Sequence, residues 1–359
     1  MKPVPKLFRF NRVVGPLVAV MLALWASALQ AQDYHYRYVS FDTCEAPPGY
    51  TGFGGTIQNS GRLYGSVSDE QTFLPYIAVC AQGVVTVLQP EVPAFLSAVN
   101  TAGTVLLASV LVDPVNFITQ AALFRNGQVE LIPPLPGEFT SFGLSLTDTG
   151  MALVSSFNEF FEETVLLYQK GETTPLDFGL TNYSVRGMNN QGIIAGTTGV
   201  DGVGDRGFRF DSRTGRTTLL DPLPTEQHAW AVGINNHGDI LGYSFVAGGI
   251  ERIGVWSRDG RFQPYFVEGV TEFPTISNAL LFNENNLIVI AFVTNPPPER
   301  GNSYLVPKPG VRLNLADLVE NLPPGAGVLR FITGINEHGD LVGFGAAGGF
   351  LLERVGAAN

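Results

Sequence analysis

Hydrophobic residues along this chain alternate with small or polar ones over short stretches, and glycine-centred turns separate the stretches. A period of two marks strands rather than helices. The span 229–266 shows a full set of four: "AWAVGIN" (229–235), "DILGYSF" (239–245), "RIGVWS" (252–257) and "RFQPYF" (261–266). The third–fourth pair returns elsewhere as "ALFRNGQVELI", "LLYQKGETTPL", "FRFDSRTGRTTLL" and "AVCAQGVVTVL". Strands this short cannot bury enough surface alone, but four-stranded sheets stacked face to face can.

The turn between first and second strands recurs as "IQNSG" (57–61), "VNTAG" (99–103), "LTDTG" (146–150), "MNNQG" (188–192), "INNHG" (234–238), "FNENN" (282–286) and "INEHG" (335–339). The closing positions lie 42, 47, 42, 46, 48 and 53 residues apart, a period that predicts a propeller or a solenoid. Asn starts the turn by accepting from a backbone N–H two residues on, and Gly closes it in the left-handed conformation. Asn286 replaces Gly once, as the next residue to tolerate that conformation. The position before that Gly is Ser60, Ala102, Thr149, Gln191, His237, Asn285 and His338. A position open to Ala and Thr is a turn tip, so His237 and His338 are read as solvated turn residues and not as ligands.

Two further columns carry structure. The residue before the apolar anchor is Thr56, Ala98, Ser145, Gly187, Gly233, Leu281 and Gly334, mostly small, as expected where innermost strands crowd a common axis. Three positions earlier stand Phe53, Phe95, Phe142, Trp230 and Phe331, with Ser184 and Asn278 as exceptions. These rings are expected to fill the wedge between neighbouring sheets. The seventh set lacks a fourth strand, while "YHYRYVSFD" (34–42) stands unused before the first set. Placed on the outer edge of the last sheet, it closes a ring and covers an aggregation-prone edge. The expectation is an all-β, seven-bladed β-propeller of four-stranded antiparallel blades, closed by the N-terminal strand, as one domain over 32–359. An open solenoid explains the repeats but not the complementary ends.

The pattern resembles the HAF-repeat family of exported bacterial proteins, whose units run "INN-x-G…G", then an aromatic strand, then "G…L". The resemblance covers roughly residues 33–359, and is clearest in the fourth, fifth and seventh copies. It implies an extracytoplasmic, propeller-like fold and brings no catalytic residues with it. The unit also resembles kelch propellers, in strand order only.

Composition adds a destination. Lys2, Lys6, Arg9 and Arg12 precede an apolar run, Val13–Ala26, and then "SALQAQ". This is the layout of a secretory signal peptide over residues 1–31, with cleavage after Ala28 or Ala31. An uncleaved anchor is the rival reading, but the run is shorter than the ~20 residues a spanning helix needs and contains Gly15-Pro16. Cleavage leaves two lysines, Lys170 and Lys308, and takes the formal charge from −11 to −15. Such a surface repels phosphate backbones and anionic headgroups, so neither nucleic-acid binding nor membrane insertion of the mature chain is expected. An exported, extracellular or periplasmic monomer permits a disulfide between the two cysteines, Cys44 and Cys80. Cys80 falls in a core column near a third–fourth turn and Cys44 in a blade link on the other face. A bridge therefore requires the link to fold back along the strand, and pairing stays open.

Departures from the repeat are where function is sought. The second–third loops and blade links share one face, and there the copies diverge: 68–75, 111–120, 157–164, 198–207, 246–251 and 294–302. Candidate residues for a protein or glycan partner are Asp69, Asp113, Phe160, Phe161, Glu162 and Glu163, against the alternative of ordinary solvated loops. "DGVGD" offers Asp201 and Asp205 to Ca2+, though without the full ligand count or distal Glu of a known loop. Arg186 is the one charged residue in its column of Gly55, Ser97, Leu144, Arg186, Val232, Leu280 and Thr333. It either binds an anion in the axial channel or pairs with a neighbouring acid, the second being favoured. No G-x-S-x-G, C-x-x-C, H-E-x-x-H or phosphate loop is present. The resulting expectation is a binding or scaffolding module without catalytic residues or cofactor. The alternative is a cell-surface glycan hydrolase or lyase with paired carboxylates on the same face.

Overall fold

The computed structural model describes residues 34–40, 44–246, 251–267, 275–293, 303–324, 329–345 and 348–356. The expected signal segment within residues 1–33, the loop residues 247–250 and the whole of 294–302 lie outside these described residues. The chain forms six four-stranded antiparallel sheets, blades 1–6, over 50–87, 94–131, 138–175, 183–220, 228–267 and 275–314. Blade 7 takes three strands from 329–355 and its fourth from His35–Ser40, which pairs antiparallel with Gly348–Val355 from His35↔Val355 to Ser40↔Phe350. The architecture is a seven-bladed β-propeller closed by its N-terminal strand.

Each sheet is buried on both faces by its neighbours, which explains continuous apolar runs such as "VLLASVLV" in a second strand. Leu106 joins the core shared with blade 1, and the next residue, Leu107, joins the core shared with blade 3. Seven such cores occupy the seven seams. The seam between blades 6 and 7 includes Tyr36 of the N-terminal strand, fully buried, with its phenol pKa pushed up by burial.

The N-terminal strand is not the outermost one. Val319–Glu320, from the link after blade 6, pairs with it in parallel and covers its free side. Beyond it, Cys44 and Cys80 form a disulfide. The link does fold back, burying both cysteines beside Ile57, Leu63 and Val342 in the seam between blades 7 and 1. Ring closure is thus both a shared sheet and a covalent tie.

The aromatic column departs from expectation. Phe53 is buried, but Phe95, Phe142, Trp230 and Phe331 are 38% to 46% exposed. Near the axis the sheets converge, and the seams there admit Ala94, Ala229 and Ala231. The larger rings are part-exposed and rest on their own blade: Phe142 meets Phe157 edge-on at 6.0 Å, and Trp230 meets Phe245 at 5.0 Å.

The neighbouring column, which holds Arg186, is a β-bulge. Pairing skips Ser97, Leu144, Arg186, Val232 and Thr333, each the extra residue of its inner strand. A bulge presses the inner strand against the second and re-aims a side chain. This explains the second-strand glycine four residues past the turn: a Cβ on Gly242 would lie 1.9 Å from the Trp230 carbonyl oxygen, and one on Gly343 2.1 Å from that of Phe331.

Candidate functional site

The two faces of the ring are built differently. On the face of the first–second turns, the motif Asn is a buried bracket. Asn189 Oδ1 accepts from the amides of Gln191 and Ile193, both at 3.0 Å, while Nδ2 donates to the Asn235 carbonyl of the next blade at 3.1 Å. Asn283 repeats the arrangement towards Asn336, and Asn336 donates across the closing seam to Gln58. The residue after this position, which is Thr147 in blade 3, extends the chain of bonds. The amides of Thr101, Asp148, Asn190, Asn236, Glu284 and Glu337 donate respectively to the side chains of Asp148, Asn190, Asn236, Glu284, Glu337 and Asn59, at 2.7 to 3.0 Å. The motif is therefore an inter-blade lock as well as a turn. His237 is exposed at its tip, with Nδ1 2.9 Å from the Glu284 carbonyl. Among the described residues, no cluster of three His, Cys, Asp or Glu side chains is placed to hold a metal.

On the other face the loops of blades 1–3 share a design that the sequence reading missed. Asp69 Oδ1 accepts from the amides of Gln71 and Thr72, at 3.0 and 2.7 Å, and from the Thr72 hydroxyl. Asp113 caps its loop through Val115 and Asn116, and Asn158 does so through Phe160 and Glu162. Hydrogen bonds from Thr72 and from Asn116 hold the two Asp carboxyls below the ordinary range. These acids are occupied as brackets, and each bracket presents a phenylalanine. Phe73, Phe117 and Phe161 adopt φ of 58°, 55° and 60° and are 78%, 71% and 75% exposed. Phe160 and Val115 are exposed beside them, and Phe139 meets Phe161 edge-on at 5.9 Å. Glu162 accepts from Asn158, and Glu163 from Ser155. The recurring Asp-x-x-x-Phe of 69–73 and 113–117 was the available signal.

A second feature lies between blades 4 and 5. Asp205 lies between Arg186 and Asp201 there, lining one cavity with each. Arg186 and Asp205 line a cleft of about 480 Å3 with Asn182, Ser184 and Trp230. Asp201 and Asp205 line an adjoining hollow of about 470 Å3 with His228. Asp205 Oδ2 accepts from Trp230 Nε1 at 2.9 Å. His228 Nδ1 stands 3.2 Å from both the Asp205 amide nitrogen and Asp205 Oδ2, so one tautomer accepts from the amide and a protonated ring donates to the carboxylate. His228 stacks on Phe245 at 4.9 Å, and Phe245 supports Trp230. The expected acid partner for Arg186 is not there: the guanidinium is exposed and forms no ion pair among the described residues. The bulge leaves Arg186 out of the strand pairing.

No family model and no curated protein matches the chain. Solved structures with a similar fold include TolB from Acinetobacter baumannii, with TM-score 0.45, 12% identity, and coverage of 85% of this chain and 66% of that one. The β-propeller domain of the Trilobed protease from Pyrococcus furiosus gives 0.48 at 12% identity, covering 74% and 81%. A prolyl endopeptidase gives 0.50 at 11%, covering 82% of this chain but 54% of its own. At such identities the likeness concerns the propeller fold. Among the described residues, no helix is long and apolar enough to cross a membrane.

Proposed function

We propose that this protein is an exported binding module of the HAF-repeat type that holds a polypeptide partner on its variable-loop face, chiefly through blades 1–3. One observation carries the reading: phenylalanine occupies the left-handed tip of three successive loops, exposed in each. A left-handed conformation disfavours every residue with a Cβ, and a bulky one most, so a ring kept there three times is tolerated for what it touches. The opposite face supports the reading by contrast, because its inner rim is committed to blade-to-blade hydrogen bonds. The three loops also carry Asp69, Glu70, Asp113, Glu159, Glu162 and Glu163 and no Lys or Arg. The partner that fits presents apolar side chains flanked by basic ones. The basic start, apolar run and small-residue site at the N-terminus support export.

The test isolates partners from the producer's envelope, then measures their affinity for two sets of variants. Phe73, Phe117 and Phe161 changed to Ser should weaken binding by more than ~2 kcal/mol, because interface energy concentrates in aromatic anchors. Asn126, Lys170 and Arg258, at third–fourth turns, changed to Ala should leave it unchanged. Loss in the second set alone would move the functional surface to the other face.

A further inference from the structure

The cleft between blades 4 and 5 exists because the repeat is broken there twice. Where blades 2, 3, 5 and 7 place Phe95, Phe142, Trp230 and Phe331, blade 4 places Ser184. The missing ring leaves the space. Two residues on, where the sister blades carry no charge, the bulge carries Arg186. At about 480 Å3 the cleft falls within the roughly 300–1,000 Å3 of small-ligand sites.

Its lining is selective. Trp230 is 44% exposed, yet it is held by its Nε1 bond to Asp205 and by the edge contact with Phe245. An exposed indole fixed in place is a preorganised platform for a flat, weakly apolar surface. Around it stand an amide (Asn182), a hydroxyl (Ser184) and Asp205 Oδ1, which has no hydrogen-bond partner among the described residues. A purely apolar ring would leave these groups without partners once water is excluded. A phosphate would bring more negative charge than one arginine balances, beside Asp205 and Asp201. A ring with hydroxyls around its edge, one apolar face and a single carboxylate satisfies every group.

We infer that this cleft binds an acidic pyranose, a hexuronate unit of a glycan. Trp230 stacks on the sugar face, Arg186 takes the carboxylate through its paired N–H donors, and Asp205, Asn182 and Ser184 bond the hydroxyls. The adjoining hollow, lined by Gly199–Asp205 and His228, holds two carboxylates and neither Lys nor Arg, so it takes a neutral sugar next, and an oligomer that alternates hexuronate with neutral hexose binds better than a monosaccharide. The inference is independent of the loop-tip surface, which lies on blades 1–3.

The experiment titrates the mature protein with a tetrasaccharide that alternates hexuronate and neutral hexose, the acidic oligomer, and with a neutral hexose tetrasaccharide, read by calorimetry and indole fluorescence. Trp256 is fully buried, so a change on binding reports Trp230. The acidic oligomer should bind saturably and at least tenfold more tightly than the neutral one. R186Q should abolish that preference while leaving the neutral oligomer's affinity unchanged. W230A should weaken both at least tenfold. D205N, which keeps an acceptor for Trp230 Nε1, should weaken both while retaining the acidic preference. The triple Phe→Ser variant of the loop tips should bind both sugars like the parent, which separates this site from the partner surface. Absence of binding to both oligomers, or undiminished binding by a folded W230A, would overturn the proposal, as would an acidic preference that survives R186Q.

Discussion

Phe73, Phe117 and Phe161 hold a conformation in which glycine is the easier residue, and that sets function against stability. Replacing all three with Gly removes the left-handed penalty of roughly 1–2 kcal/mol per residue, partly offset by glycine's entropy in the unfolded chain. The triple variant should melt at or above the parent's temperature while partner binding falls; a clear drop in melting temperature would mean that the rings support the fold. Glu337 gives a second test, through pH. Burial, and then the nearby Glu284 carboxylate, push its pKa up. A carboxyl with a raised folded pKa contributes stability that is present below its ordinary pKa and lost as pH rises through the raised value. Gln at 337 keeps an acceptor for the Glu284 amide and carries no charge. The melting-temperature advantage of E337Q over the parent should therefore grow as pH rises above the ordinary carboxylate range, and a constant gap would show that the half-buried charge costs nothing. Asp69 and Asp113 work in the opposite sense, since their lowered pKa values remove stability as pH falls.

The bulged inner strand is the element that gives blades 2, 3, 4, 5 and 7 their character. It requires a close approach to the second strand, so glycine at 242 is a packing requirement and not a turn signal. Ala at 242 would put its Cβ 1.9 Å from the Trp230 carbonyl oxygen, and the strand would have to shift. G242A should cost about 2–3 kcal/mol, in the range of overpacking substitutions. Because the strand that moves carries Trp230, it should also change that indole's fluorescence. Gly61, by contrast, has open space around its would-be Cβ and is needed only for its φ of 75°. G61N should be nearly neutral, following the precedent of Asn286 at φ 55°.

The ring as a whole depends on one seam. Blades 7 and 1 are joined by the N-terminal strand, by Thr333 donating to the Gly55 carbonyl at 2.6 Å, by the bond of the Glu337 amide to Asn59, and by the Cys44–Cys80 bridge. Removing residues 33–43 takes away a full strand and the buried Tyr36, and leaves Gly348–Val355 as an unpaired edge. Loss of several kcal/mol and concentration-dependent aggregation should follow. A deletion variant that stays monomeric and melts like the parent would show that the ring holds without the strand. Changing both cysteines to Ser should cost about 3–4 kcal/mol, the loop-entropy scale for a bridge across 36 residues. Seam variants should lower stability without touching affinity at the loop tips, which sit on blades already locked to their neighbours.

The blade count, the strand order, the unused N-terminal strand and the solvated turn histidines could all be read from the letters. Each follows from short-range physics: side-chain alternation, a left-handed Gly, an Asn bonding its own turn, a strand lacking a partner. The exposed ring at Trp230, the capping duty of Asp69 and Asp113, the cleft that Arg186 and Asp205 line together, and the bridge between Cys44 and Cys80 could not. These depend on how seven sheets converge on an axis, which squeezes large side chains out of the inner seams and sets residues of neighbouring blades side by side. A repeat records what every blade must do. Where two blades leave a gap is fixed only when the sheets pack, because the gap belongs to neither sequence alone.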